Sequence, residues 1–184
     1  REVRMSLNTI DHPLMKNNIS RDDLDALIDY LKGDDPKLTQ SSNVEAFEEE
    51  WSKWLGVKYS VFVNSGSSAN LVAFSALTSP KLGQKAIKKG DEVISVAAAF
   101  PTTVNPIVQF GAIPVFIDVD LKTNNVNADL IEAAITPKTK AIMLAHTLGN
   151  PFNLEKVKEL CDKHKLWLVE DCCDALGAKY NQKH

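Results

Sequence analysis

The sequence predicts an α/β protein with a mainly parallel sheet covered by helices on both faces. Three observations carry this. Apolar, strand-like runs alternate with helix-like segments along the chain, the pattern of repeated βαβ units. The runs are apolar nearly throughout rather than at every second residue, as strands buried on both faces are. The chain has 184 residues, 44% of them hydrophobic, which suits a core for one domain or slightly more.

The elements follow in order. Ser20 to Lys32 reads as a helix, with Ser20 at the N-cap and Gly33 just past the end. Ser42-Asn43-Val44-Glu45 reads as a capping box opening a helix to about Leu55, before Gly56. Its apolar residues Val44, Phe47, Trp51, Trp54 and Leu55 share a packing face. Tyr59 to Val63 is the first strong strand, and the loop Asn64 to Ser68 leads into a helix from Ala69 to Thr78. A strand is expected at Glu92 to Ala97, a helix at Thr102 to Phe110 ending at Gly111, and a strand at Ile113 to Ile117. Asn127 opens a short helix to Ile135. Ala141 to Ala145 is a strand, Leu154 to Lys163 a helix and Leu166 to Val169 a strand. The chain stops without an obvious closing element, so the sheet is expected to be incomplete at the C-terminus, as in an N-terminal fragment of a longer protein.

Composition excludes several classes. The net charge of -3 gives no electrostatic case for nucleic acid or an anionic membrane. Lys85, Lys88 and Lys89 read as a solvated loop. No apolar run approaches the roughly 18 residues of a membrane span, and the opening Arg1 to Met5 lacks a signal-peptide apolar region. Three cysteines, Cys161, Cys172 and Cys173, are an odd number with two adjacent. That argues against a secreted disulfide framework and for a reducing cytoplasm.

Four stretches carry chemistry, each at the carboxyl end of an expected strand. Asn64-Ser65-Gly66-Ser67-Ser68 precedes a helix. Gly66 lets backbone N–H groups turn toward a ligand, Ser67 and Ser68 add hydroxyls, and the helix start favours phosphate. The same residues also fit an ordinary serine N-cap. In Ala97 to Thr103, small residues leave room for a flat ligand on which Phe100 could stack. Phe100 as a core residue is the bland alternative. His146 to Pro151 offers a His and an Asn to orient a ligand, although a lone His is more often structural. In Glu170 to Gly177, Asp171 can pair with a cationic cofactor atom or a metal. Sheet topology would gather all four at one edge. A phosphate cradle, an aromatic plate and a carboxylate together suit pyridoxal phosphate. In that arrangement Asp171 keeps the pyridine nitrogen protonated, and the protonated ring serves as an electron sink.

At this point a family resemblance is visible. Phe47 to Trp51 with Leu55-Gly56-Val57, Asn64 to Leu71, Gly90 to Val93, Gly111 to Asp118, and Glu170-Asp171 through Gly177 resemble the DegT/DnrJ/EryC1/StrS nucleotide-sugar aminotransferases and dehydratases. The resemblance runs from about residue 20 onward. It implies the type I fold of pyridoxal-phosphate transferases, like the large domain of aspartate aminotransferase. Residues 1–40 would be an N-terminal helical segment and 41–184 a partial cofactor-binding domain. Within the family, Phe100 to Pro106, Ala145 to Phe152 and Cys173 to Gly177 resemble the 3-dehydrases of deoxysugar and lipopolysaccharide synthesis, closest to those acting on CDP-4-keto-6-deoxy-D-glucose. Aminotransferases have Gln where Asp174 stands, which argues for the dehydrase branch.

The resemblance implies roles. Gly66, Ser67 and Ser68 match the cofactor-phosphate loop, Phe100 the ring-stacking aromatic and Asp171 the partner of the pyridine nitrogen. Asp174 faces the ring's hydroxyl side, and Cys173 matches the first ligand of a [2Fe-2S] cluster. The cofactor would be pyridoxamine or pyridoxal 5′-phosphate and the substrate a nucleotide-linked keto sugar. The protein would be a homodimer served by a reductase. The residue that is His in dehydrases and Lys in aminotransferases would lie beyond His184, so no catalytic residue is expected here and the chain alone should not turn over substrate. The competing readings are an aminotransferase of the same family, a non-catalytic α/β binding module, and a metal-dependent phosphotransferase using Asp171 and Asp174 with Asp118 and Asp120.

Overall fold

The computed structural model describes residues 18–184. The chain divides between Glu45 and Ala46 into two compact units. In the first, helix α1 (Arg21–Leu31) is closed by the expected Ser20 cap. Asp23 N–H donates to Ser20 Oγ at 3.1 Å, and Ser20 N–H donates to Asp23 Oδ2 at 2.7 Å. Helix α2 (Ser42–Leu55) begins one residue earlier than a capping box at Ser42 predicts. The Ser41 carbonyl already accepts from Val44 and Glu45 N–H, so Ser42 is inside the helix.

The second unit is built on four parallel strands, β1 (Glu92–Val96), β2 (Ile113–Ile117), β3 (Thr139–Ala145) and β4 (Trp167–Asp171). Their order is β2-β1-β3-β4. The chain steps from β1 to β2 on one side, then returns past β1 to lay β3 and β4 on the other. β1 and β3 therefore stand at the point where the order reverses, the place where open α/β sheets bind ligands. The expected strand boundaries hold within about two residues.

Burial separates the two sheet faces. On one, Val93, Ala141 and Met143 pack with Phe74 of helix α3 (Gly66–Leu77) and Ile107 of helix α4 (Pro101–Gln109). On the other, Ile94, Val96, Ile142 and Leu144 pack with Ile131 of the short helix α5 (Ile131–Ala134) and Val157 and Leu160 of helix α6 (Leu154–His164). Alternate residues of each strand serve opposite faces, as the pleat requires. The helix expected from Asn127 to Ile135 resolves into a 3-10 turn, Ala128–Leu130, followed by α5.

Two expectations are corrected. Tyr59 to Val63 forms no strand: the segment lies outside the four-stranded ladder, and Tyr59, Val61 and Phe62 are largely exposed. Its β-type composition is a local preference, and a strand needs a neighbour to accept its hydrogen bonds. One of its donors, Phe62 N–H, is taken instead by Glu48 Oε1 at 2.7 Å. The apolar face of α2 is also less buried than its pattern suggests. Phe47 and Trp54 stay about half exposed. Phe47 stacks on Trp51 and meets Phe62 edge-on, so the aromatics cover one another rather than a core.

Candidate active site

A cleft of about 270 Å³ opens at the carboxyl ends of the strands, lined by residues from four separate stretches. Gly66, Ser67 and Asn70 come from the first turns of α3, and Phe100, Thr102 and Thr103 from the start of α4. Ala145 and His146 lie at the end of β3, and Asp171, Cys173 and Asp174 at and after the end of β4. The phosphate-loop reading is sharpened: α3 begins at Gly66, three residues before the expected Ala69. Gly66 and Ser67 therefore stand in a helix's first turn, where free N–H groups and the helix dipole attract an anion. Ser65 is the N-cap and accepts from Ser68 N–H at 3.1 Å.

Of the seven residues to which the resemblance gives roles, the structure brings Gly66, Ser67, Phe100, Asp171, Asp174 and Cys173 to this cleft. Ser68 is turned elsewhere: its hydroxyl donates to Asn64 Oδ1 at 2.6 Å. Phe100 is 71% exposed at the rim, not a core residue.

Asp171 is the best-defined group. Its Oδ2 accepts from Asn70 Nδ2 and from Thr103 Oγ1, each at 2.8 Å. Its Oδ1 accepts from Cys173 N–H at 3.1 Å. Thr103 is fully buried and Asn70 nearly so. Oδ2 is thus saturated by two neutral donors, while Oδ1 keeps a lone pair for a further donor. Neutral donors hold the carboxylate without neutralising it, so its charge remains available to a cation. Such a residue suits a protonated pyridine nitrogen. Residue pattern alone did not single out Asn70 and Thr103 for this role. The available signal is that each follows a glycine or proline at a helix start.

A second polar pair stands next to it. His146 Nε2 meets Glu170 Oε2 at 2.9 Å, and the imidazole stacks on Phe152 with centroids 4.3 Å apart and planes 3° from parallel. The Cys172 thiol and the Glu170 carboxylate push the imidazole up to about 9, against the effect of burial. Glu170 therefore has a defined electrostatic partner that its position in an acidic run does not reveal. His184, at the other extreme, packs its ring against Trp54.

Among the described residues, no group of three or more His, Cys, Asp or Glu could hold a metal ion. Asp120 Oδ1 accepts from Lys122 and Thr123 N–H, capping a turn. A [2Fe-2S] cluster takes four protein ligands, and toward such a set the cleft offers the exposed thiol of Cys173. Cys161 is buried, which pushes its thiol up to about 11. Among the described residues no helix is long and apolar enough to cross a membrane.

Comparison with known proteins agrees with this geometry. The model of the DegT/DnrJ/EryC1/StrS aminotransferase family matches residues 17–184. The chain is 61% identical over 143 residues to the lipopolysaccharide biosynthesis protein RfbH of Salmonella typhimurium, covering 78% of this chain and 33% of that protein. It is 53% identical over 144 residues to the dTDP-4-dehydro-2,6-dideoxy-D-glucose 3-dehydratase of Saccharopolyspora spinosa, covering 78% and 31%. The chain thus spans about a third of the length of these relatives. Among solved structures, the E. coli GDP-4-keto-6-deoxy-D-mannose-3-dehydratase with bound hydrated PLP superposes with a TM-score of 0.84 at 34% identity, covering 95% of this chain and 44% of that one. The fold is that of the pyridoxal-phosphate-dependent aminotransferases, and the chain belongs to the DegT/DnrJ/EryC1/StrS aminotransferase family.

Proposed function

We propose that the protein to which these residues belong removes the C3 hydroxyl of a nucleotide-linked 4-keto-6-deoxyhexose, using pyridoxamine or pyridoxal 5′-phosphate. The carrying observation is Asp171, whose Oδ2 is fixed by Asn70 and Thr103 while Oδ1 keeps acceptor capacity beside the cleft. The two named dehydratases among the similar proteins support this reaction class.

The residues present fit the cofactor. Gly66 and Ser67 would hold its phosphate at the N-terminus of α3, Phe100 would cover one face of the ring, and Asp171 would hold the proton on the ring nitrogen. Asp174 also lines the cleft. When bound, the cofactor supplies an amine for the sugar ketone and a cationic ring that accepts electron density. The protein's part is to orient that ring and to keep its nitrogen cationic. Asn70 and Thr103 do this indirectly, by denying Asp171 other rotamers.

In the same reading the whole protein is a cytoplasmic homodimer and a reductase delivers electrons to it. Cys173 would be one ligand of a cluster whose other ligands are not among the described residues. These points rest on the family resemblance.

The test is titration of the chain with pyridoxamine phosphate, followed by its fluorescence. Wild type should bind, and Asp171→Ala should weaken binding about tenfold or more, as loss of a charge-assisted hydrogen bond does. Equal binding by both would sink the site assignment. For the whole protein, amino transfer to the sugar in place of C3 deoxygenation would overturn the dehydratase in favour of an aminotransferase.

A further inference from the structure

We propose that His146 and Glu170 form a positioning pair that sets the strand end carrying Asp171, and through it the direction in which the Asp171 carboxylate faces the cleft. The proposal rests on the cofactor reading above for its functional meaning, and on the geometry alone for the pair itself.

The pair grips β4 at two adjacent residues. Ala145 and Asp171 are register partners in the β3–β4 ladder. One step further, His146 N–H donates to Asp171 O at 3.1 Å, extending the ladder beyond Ala145. The His146 side chain then reaches Glu170 Oε2 at 2.9 Å. One residue therefore holds the main chain at Asp171 and the side chain just before it. Because neighbouring side chains of a strand leave on opposite faces, Glu170 is held on one side while Asp171 meets Asn70 and Thr103 on the other. The strand end has little freedom to rotate between these grips.

The anchor is itself immobilised. The His146 side chain is 8% exposed and lies flat on Phe152, which is almost wholly buried. The loop that follows is tied down independently. Asn125 Nδ2 donates to Asn150 O at 2.7 Å, and Asn125 Oδ1 accepts from Thr147 N–H at 3.1 Å. In the same loop, Gly149 lies so close to Asp174 that a Cβ would stand 2.7 Å from its carbonyl oxygen. The β3 and β4 loops thus meet at both ends, His146 to Glu170 and Asp171, and Gly149 to Asp174.

The accessible surface argues for positioning rather than proton transfer. Nε2 is engaged by Glu170, and Nδ1 is buried. Neither nitrogen is open to a molecule in the cleft, although the ring contributes to its wall. An ion pair with one partly exposed member is weak evidence for stability, and an apolar residue on Phe152 would fill the same space as the imidazole. Directing the neighbouring carboxylate gives the pair a use that such a residue would lack.

The test compares Glu170→Ala, Glu170→Gln and His146→Phe, the last keeping an aromatic ring on Phe152. Amide hydrogen exchange is read without ligand at His146 N–H, which bonds Asp171 O, and at Cys173 N–H, which bonds Asp171 Oδ1. Protection at both should fall about tenfold in Glu170→Ala and His146→Phe, while Ile94 and Ile142 in the central strands hold. Glu170→Gln keeps an acceptor for the imidazole and should recover most of it. Pyridoxamine phosphate binding should weaken in parallel, with the same rescue. Unchanged protection at His146 and Cys173, or equal loss in the central strands, would overturn the proposal. Failure of wild type to bind the cofactor would instead overturn the reading of the cleft, with the exchange pattern still deciding the pair.

Discussion

Gly149→Ala separates the cost of backbone conformation from the cost of loop contact. Gly149 has φ +78°, and a Cβ there would lie 2.7 Å from Asp174 O, closer than non-bonded carbon and oxygen atoms approach. Gly177 has nearly the same backbone, φ +80°, with nothing within 4 Å of its Cβ position. Both alanines incur the left-handed penalty of about 1–2 kcal/mol. Only Gly149→Ala also forces the Asp174 turn outward, an overpacking cost of roughly 1–3 kcal/mol. Gly177→Ala should therefore lose about 1–2 kcal/mol and Gly149→Ala about 2–5 kcal/mol. The assay is urea denaturation of both variants beside wild type, with stability read from the midpoint at constant slope. Equal losses in the two variants would refute the close approach of the β3 and β4 loops.

His146 gives a pH dependence. Its folded value is raised from 6.5 to about 9, so its contribution is fully present below about pH 6.5 and disappears as pH rises through about 9. Unfolding free energy should fall across that window by at most about 3 kcal/mol, at about 1.4 kcal/mol per tenfold. Glu170→Gln should flatten the fall, and denaturation at stepped pH checks both; stability that rises across the window would contradict the assignment. Phe74, fully buried between α3 and the sheet, should cost about 3–5 kcal/mol when replaced by alanine. Leu71, on the same helix but 40% exposed, should cost under about 1 kcal/mol by the same measurement.

Most of the architecture is legible in the sequence because burial on both faces leaves an unmistakable imprint. The runs that become β1, β3 and β4 are apolar since helices cover them above and below. Tyr59 to Val63 carries the same imprint yet forms no strand, because composition records preference and not the presence of a neighbour. The site divides likewise. Asp171 can be picked out by its place after an apolar run. Asn70 and Thr103, which aim it, are separated from it by 101 and 68 residues, so no local pattern links them. Glu170 belongs to an acidic stretch that reads as a solvated cap, and only the fold reveals that it faces His146.

Those separations have a consequence for folding. The bond from Asn70 to Asp171 closes a loop of about a hundred residues, a span whose closure costs chain entropy that the rest of the fold must offset. The cleft therefore depends on assembly across that span, and an isolated α3 or β3–β4 piece lacks the partners that form it. A molecule bound there bridges elements from α3 to β4 and so favours the fully assembled state over every partial one, stabilising it by mass action. Ligand-dependent protection should consequently extend through the whole sheet and not stop at the residues that touch the ligand.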